Sequence, residues 1–271
     1  QQLADKWRRR WPRLSNAVWH AAVADGAANN IGSGATAPGA AAVMIGTSAA
    51  VRVVLERAPK KIPRGLFCYR VDEKRYLVGG ALSDGGGLYD RLRRTLRFEL
   101  TENTFAREIA KRGPGARGLT LMPFFAGERS TGYNENAVGS IHGMTLTHDP
   151  VDILQAAMEA VGFRLAEILG RIESVTPVER VIASGGALSA SRAWPTMIAD
   201  IFGRDIDLLR ENEASMRGAV LLALGTTGKI ELSDTAASRS SKIKFDPEAH
   251  AAYRPAHERH RMHYRNIDTK S

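Results

Sequence analysis

Arg180-Val181-Ile182-Ala183-Ser184-Gly185-Gly186-Ala187-Leu188 is an apolar run that breaks at two glycines and resumes with helix-forming residues. The pattern predicts a buried strand over 180–183, a glycine turn, and a helix from about 191 to 202. Glycines at such a junction let backbone N–H groups approach an anion closely. The N-terminus of a following helix adds a field that favours phosphate. Taken singly, a junction of this kind is more often only a tight turn. The chain has three more: Ala24-Asp25-Gly26, Ile45-Gly46-Thr47-Ser48, and Ser83-Asp84-Gly85-Gly86-Gly87. Four in one domain point to a phosphate-bearing ligand.

The flanking segments supply the frame. Residues 21–25 read as a short buried strand ending in a carboxylate, with a small-residue helix over 27–34. Residues 41–45 and 51–55 read as strands on either side of the Gly46-Thr47-Ser48 turn, and 67–71 with 75–79 as a hairpin. A helix follows near 88–96. Pro150 opens the longest amphipathic helix, about 151–172, with Ile153, Leu154, Ala157, Val161, Leu165, Ile168 and Leu169 at helical spacing. A strand at 205–208 and a helix at 213–224 come next, then a polar tail with a helix near 250–264. Alternating strands and helices predict an α/β fold, a mixed sheet covered by helices. Three segments are expected: a basic helix or linker over 1–20, a domain over 21–232, and an extension over 233–271 that packs on it.

Composition excludes several classes. The single cysteine, Cys68, can form no internal disulfide and no cysteine metal site, which fits a reducing, cytoplasmic setting. No apolar run approaches the roughly 18 residues of a membrane span, and no secretory signal is visible. The chain begins Gln1-Gln2-Leu3 without methionine, as a fragment or processed product would. Net charge is +9, but the arginines are scattered and much of the excess sits at the two ends. That reads as a solvated basic surface, or one meeting an acidic partner domain, rather than a nucleic-acid surface. A P-loop is absent, since Gly228-Lys229 lacks the upstream glycine and the Ser/Thr. Neither a nucleophile elbow nor a protein-kinase signature occurs. His257, His260 and His263 could form a metal face, but Glu258, Arg259 and Arg261 favour a solvated basic helix. Lys6-Trp7-Arg8-Arg9-Arg10-Trp11 reads as an amphipathic helix whose tryptophans pack on a neighbour, with an anionic membrane or nucleic acid as the other reading.

The order and content of the motifs resemble the C-terminal domain of FGGY carbohydrate kinases, especially gluconokinase-like members. The matching stretches are Asp25-Gly26-Ala27-Ala28-Asn29-Asn30-Ile31-Gly32-Ser33-Gly34, Ile45-Gly46-Thr47-Ser48-Ala49 and Gly79-Gly80-Ala81-Leu82-Ser83. They continue with Gly127-Glu128-Arg129-Ser130-Thr131-Gly132-Tyr133-Asn134, Ser184 to Trp194, Glu213-Ala214-Ser215-Met216-Arg217-Gly218-Ala219, and Phe245-Asp246-Pro247 to Tyr253. The resemblance implies an actin-like, ribonuclease H-like ATPase fold with ATP and Mg2+ as cofactors. It implies that Asp25 is the general base for the sugar hydroxyl and sits near the magnesium, with Gly26 beside it. By local sequence alone Asp25 is equally a helix N-cap.

By the same resemblance Thr47 faces the γ-phosphate, with Gly46 and Ser48 shaping the turn, which is otherwise a plain hairpin. Gly85, Gly86 and Gly87 lie near the phosphates. Gly185, Gly186 and Ala187 lie against phosphates and ribose, and the helix from Ser189 helps form the adenine pocket. Glu213 closes the far side of the adenosine site, or is simply an acidic residue in a helix first turn. Two departures stand out. Ala137-Val138-Gly139-Ser140 stands where many relatives carry Ala-Arg-Gly, which puts a salt bridge or interdomain contact in doubt. The family's N-terminal domain, which carries most sugar contacts, has no counterpart in this sequence. Catalysis needs both domains closed on the substrate, so the chain alone is expected to be inactive. Its partners would be ATP or ADP, a sugar or sugar acid such as gluconate, and an N-terminal half on another chain. The competing reading is a non-catalytic nucleotide-binding or assembly module.

Overall fold

The computed structural model describes residues 2–209, 213–232 and 240–268. Seven strands form one mixed sheet, in chain order β1 (Ala40–Ile45), β2 (Ala49–Leu55), β3 (Phe67–Arg70), β4 (Tyr76–Leu82), β7 (Arg180–Ser184), β8 (Ile206–Leu209) and β9 (Ser240–Ile243). Their spatial order is β3-β4-β2-β1-β7-β8-β9. The first four pair antiparallel, β1-β7-β8 pair parallel, and β9 returns antiparallel on β8. Short strands β5 (Thr120–Met122) and β6 (Ser140–His142) form a separate ribbon. The expected α/β frame with a mixed sheet is present. The β9 strand was not foreseen, because Ser240-Ser241-Lys242 carries no apolar alternation, and pairing alone recruits it.

Helices cover both faces. Helix α5 (Pro150–Glu173) buries its apolar positions against Val43, Val51, Val53 and Val181, and α7 (Trp194–Phe202) joins it. The start of α5 is fixed locally. Asp149 accepts the Val151 amide at 2.8 Å, while Asp152 accepts the Asp149 amide at 2.9 Å, a capping box. Arg112, at the end of α4 (Glu102–Arg112), clamps both carboxylates, and its bonds bring the Asp149 carboxyl down to about 2. The opposite face carries α2 (Asp25–Ser33) and α8 (Ala214–Thr226). A Cβ on Gly32 would strike the Ala214 carbonyl, and one on Gly218 the Ala28 carbonyl. The two helices therefore cross antiparallel, backbone on backbone.

Several expectations change. Residues 21–24 are exposed and form no strand, since no sheet edge is there to pair them. Helix α4 was not anticipated. The helix expected over about 191–202 starts at Trp194 as α7, and a short unexpected helix, α6 (Gly186–Ala190), precedes it across Ser191-Arg192-Ala193. The N-terminal α1 (Asp5–Arg10) buries nothing, and Trp7 and Trp11 stack on each other at 5.1 Å instead of packing into the domain. Val138, at the departure from the family pattern, points outward.

The C-terminal helix α9 (Pro247–Asp268) is not solvated all round. Tyr253, Ala256 and His260 are buried, and His257 stacks on Phe163 at 4.8 Å. Spaced three and four apart, they make one inward stripe while Arg254, Glu258 and Arg261 stay outside. Burial holds the His260 imidazole well below its usual range. Among the described residues no group of His, Cys, Asp or Glu could hold a metal ion by itself, and no helix is long and apolar enough to cross a membrane.

Candidate functional site

A cleft of about 450 Å3 opens where three of the glycine junctions meet. Gly46 and Thr47 line it from the β1–β2 turn. Gly86 and Gly87 line it from α3 (Gly86–Thr95), and Gly186 and Ala187 from the start of α6. The volume falls within the usual range for a small-molecule site, about 300–1,000 Å3.

The junctions do different work. Gly86 donates to the Gly46 carbonyl at 2.7 Å, while Gly85 and Gly87 donate to the Thr47 carbonyl, each at 3.1 Å. Their amides are thus spent on holding the Gly46-Thr47-Ser48 turn. Side chains are excluded as well: a Cβ on Gly86 would sit 2.6 Å from the Ala187 Cβ, and one on Gly87 2.9 Å from Thr47 Cγ2. Gly186 is the reverse case, with open space where its Cβ would be. The amides of Gly186 and Ala187 start α6 and have no intrahelical acceptor. Just before them, the Ser184 hydroxyl is buried without a partner. Gly185 takes φ 113°, which lets the chain pass over the Ile45 carbonyl.

The remaining wall is polar and was not legible beforehand. Tyr89, Asp90, Arg93 and Glu102 line it. Tyr89 donates to Glu102 at 3.1 Å, Arg93 pairs with Glu102, and Arg93 also reaches the Leu100 carbonyl at 2.9 Å. Burial pushes the Tyr89 phenol up. Residues 89, 90 and 93 share one face of α3, and that spacing was the available signal. Asp84, buried at the end of β4, accepts the Ala126 amide at 3.1 Å, and burial raises its carboxyl.

Other anticipated residues lie outside the cleft wall. Ser48 turns its carbonyl to the Gly46 amide at 2.9 Å. Ser189 is exposed one turn along α6. Glu213 is exposed at the N-cap position of α8, and its side chain caps nothing. Because α2 and α8 run antiparallel, Glu213 lies at the Gly32 end of α2 and Asp25 at the other. Asp25 is exposed in the first turn of α2, with Ala24 in the N-cap place. Beside it Gly26 leaves room for the Arg52 guanidinium, 2.9 Å from where its Cβ would be, and for the Tyr69 hydroxyl at 3.0 Å.

The residues 127–134 form an internal joint. Buried Glu128 accepts from the Thr131 amide at 3.1 Å, the Gly132 amide at 3.0 Å and the Tyr264 hydroxyl at 2.7 Å, and pairs with buried Arg164. The joint ties α5 to α9 and, through the Ser130 amide on the Ala81 carbonyl at 2.9 Å, to β4.

The sequence profile of the FGGY family of carbohydrate kinases, C-terminal domain, matches residues 41–226. The chain belongs to the FGGY family of carbohydrate kinases. Gluconokinase from Bacillus subtilis is 32% identical over 222 residues, covering 78% of this chain and 43% of that protein. Xylulose kinase from Escherichia coli is 26% identical over 252 residues, covering 90% of this chain and 51% of that one. The crystal structure of gluconate kinase from Lactobacillus acidophilus superposes with a TM-score of 0.79 at 27% identity, covering 90% of this chain and 50% of that chain. This FGGY C-terminal domain thus spans about half the length of the relatives it matches. The actin-like architecture implied by its motifs agrees with that superposition.

Proposed function

We propose that this domain binds Mg-ATP in the glycine-walled cleft and presents Asp25 as general base in phosphoryl transfer to a hydroxyl of a sugar or sugar acid. The observation that carries the reading is the convergence of Gly46-Thr47, Gly86-Gly87 and Gly186-Ala187 on one cleft. The donor set fits a nucleotide. The α6 amides suit an anion, and the open space at Gly186 leaves room for it. It also fits magnesium, which binds through one or two carboxylates plus phosphate oxygens and needs no all-protein cage. Asp25 is the carboxylate we assign to that role. The bound nucleotide supplies the phosphoryl group to be transferred.

The chain's own residues orient and exclude. Gly85, Gly86 and Gly87 hold the turn that sets Thr47 in the cleft wall. Gly186 and Ala187 offer backbone N–H groups. Asp25 accepts the proton of the acceptor hydroxyl at its carboxylate. Water exclusion and acceptor alignment require a second domain closing on this one, so turnover is a property of both halves, on one longer chain or on two.

Calorimetric titration of the full chain with Mg-ADP tests the reading. Weak binding that Gly186→Val removes is expected, because the new side chain would enter open space on the cleft wall without striking the protein. Binding untouched by that substitution would place the nucleotide elsewhere. With an N-terminal half supplied, sugar-dependent ATP consumption should appear and Asp25→Asn should abolish it.

A further inference from the structure

Arg52 is a buried charged group with two nitrogens that meet no hydrogen-bond partner. It sits in the middle of β2, where Val51 and Val53 face the α5 core. Arg52 faces the other side, as does Val54, which packs with Ile31 and Leu222 of α2 and α8. Only 8% of it is exposed, and its Nε and Nη1 have no hydrogen-bond partner. An arginine buried in this way is costly unless something pairs with it.

The backbone is carved to keep it there. Gly79 pairs with Arg52 across the sheet, and a Cβ at 79 would lie 2.8 Å from Arg52 Cγ. From above, a Cβ on Gly26 would lie 2.9 Å from Arg52 Nε. Glycines on both sides thus make room for the stem and the head of one side chain. Three other polar groups act on that head. Asp25 is its anionic neighbour, Arg129 a second cation, and the half-buried Tyr69 supplies a hydroxyl. Of these charges only Arg52 is desolvated, since Asp25 and Arg129 are exposed, so the corner holds a buried cation without a buried counter-ion.

We propose that Arg52 is the carboxylate-binding residue for the phosphoryl acceptor, so that this domain selects a sugar acid over a neutral sugar. The inference rests on the reading that Asp25 faces the acceptor hydroxyl. A carboxylate matches the guanidinium fork through two parallel hydrogen bonds and removes the unpaired charge. Arg129 offsets the repulsion between that carboxylate and Asp25, and Tyr69 can donate to it. A neutral polyol supplies no charge to the corner, and the desolvated cation stays unpaired.

The test uses the full 271-residue chain labelled with 15N. The Arg52 Nε–H resonance is assigned by its loss in both Arg52→Lys and Arg52→Met. Gluconate is expected to shift it, while sorbitol, of the same carbon length without a carboxylate, leaves it in place. Arg52→Lys, keeping charge but losing the fork, should weaken gluconate binding by about tenfold or more. Cooperative urea unfolding of both variants, with a midpoint close to or above that of the wild type, reports that they fold.

An equal shift with sorbitol, a shift with inorganic phosphate but not gluconate, or wild-type gluconate affinity in Arg52→Lys would each overturn the assignment. So would the absence of any shift at gluconate concentrations well above millimolar. Failure of the nucleotide reading is separate: Mg-ADP would leave the Gly186 and Ala187 amides unmoved whatever gluconate does to Arg52.

Discussion

Two buried arginines stand on opposite faces of the sheet and are treated in opposite ways. Arg164, on α5, is 1% exposed, and its Nη2 contacts Glu128, the Thr131 hydroxyl at 2.9 Å and the Ser130 carbonyl at 3.3 Å, beneath the Tyr264 ring at 3.9 Å. Arg52, on β2, is nearly as buried and has none of this. One corner holds a buried ion pair and joins three elements, although the Arg164 Nε is itself without a partner; the other holds no buried counter-ion and lies beside the proposed base. Burial alone does not separate a structural charge from a binding one. What separates them is whether the protein supplies a buried, hydrogen-bonded counter-charge.

The largest effect should come from the ion-paired corner. Arg164→Met leaves Glu128 buried without its cation and should cost about 3–5 kcal/mol, read by urea unfolding. A loss below about 1 kcal/mol would mean that Glu128 is held well enough by its neutral donors, and the contrast with Arg52 would weaken.

Glu159 is intermediate, a fully buried carboxyl whose hydrogen-bond donors, Gln155 and the Gly115 and Ala116 amides, are all neutral. Burial pushes it up to about 7, from 4.5 when exposed. The unfolded chain therefore releases this proton first, and stability should fall as pH rises between those values. Glu159→Gln should flatten that slope and be more stable than wild type at pH 8 by about 3 kcal/mol. A parallel pH dependence in both proteins would assign the slope to other groups.

The smallest effect has the opposite sign to the first. Arg52→Met should raise stability by about 1 kcal/mol or more, a few degrees in melting temperature. Stabilisation combined with lost gluconate binding is the signature of a residue kept for its ligand. Destabilisation would make Arg52 a second Arg164 with an unrecognised partner.

The sheet and the cleft were legible to unequal degrees. Glycines between apolar runs located the turns at 46–48, 85–87 and 185–187, because only a residue without a side chain fits where backbones touch. Apolar spacing located α5. Residues 21–24 misled, since Ala21-Ala22-Val23-Ala24 has strand-like content but no partner to pair with. The wall at Tyr89, Arg93 and Glu102 joins two helices that sequence does not bring together. The stripe Tyr253, Ala256, His260 hid among charges because tyrosine and histidine count as polar until they are packed. Arg52 was visible inside Val51-Arg52-Val53-Val54, yet a lone arginine in a strand says nothing about pairing. Only the structure shows that its Nε and Nη1 meet no hydrogen-bond partner.

The crossing at Gly32 and Gly218 makes a hinge pin without play. With the α2 and α8 backbones touching, neither helix can slide or roll along the other without a clash. Helix α2 is nine residues, roughly 13 Å from end to end. A tilt imposed at the Glu213 end is therefore delivered to Asp25 at the far end, as along a rigid rocker arm, and is not absorbed by repacking on the way.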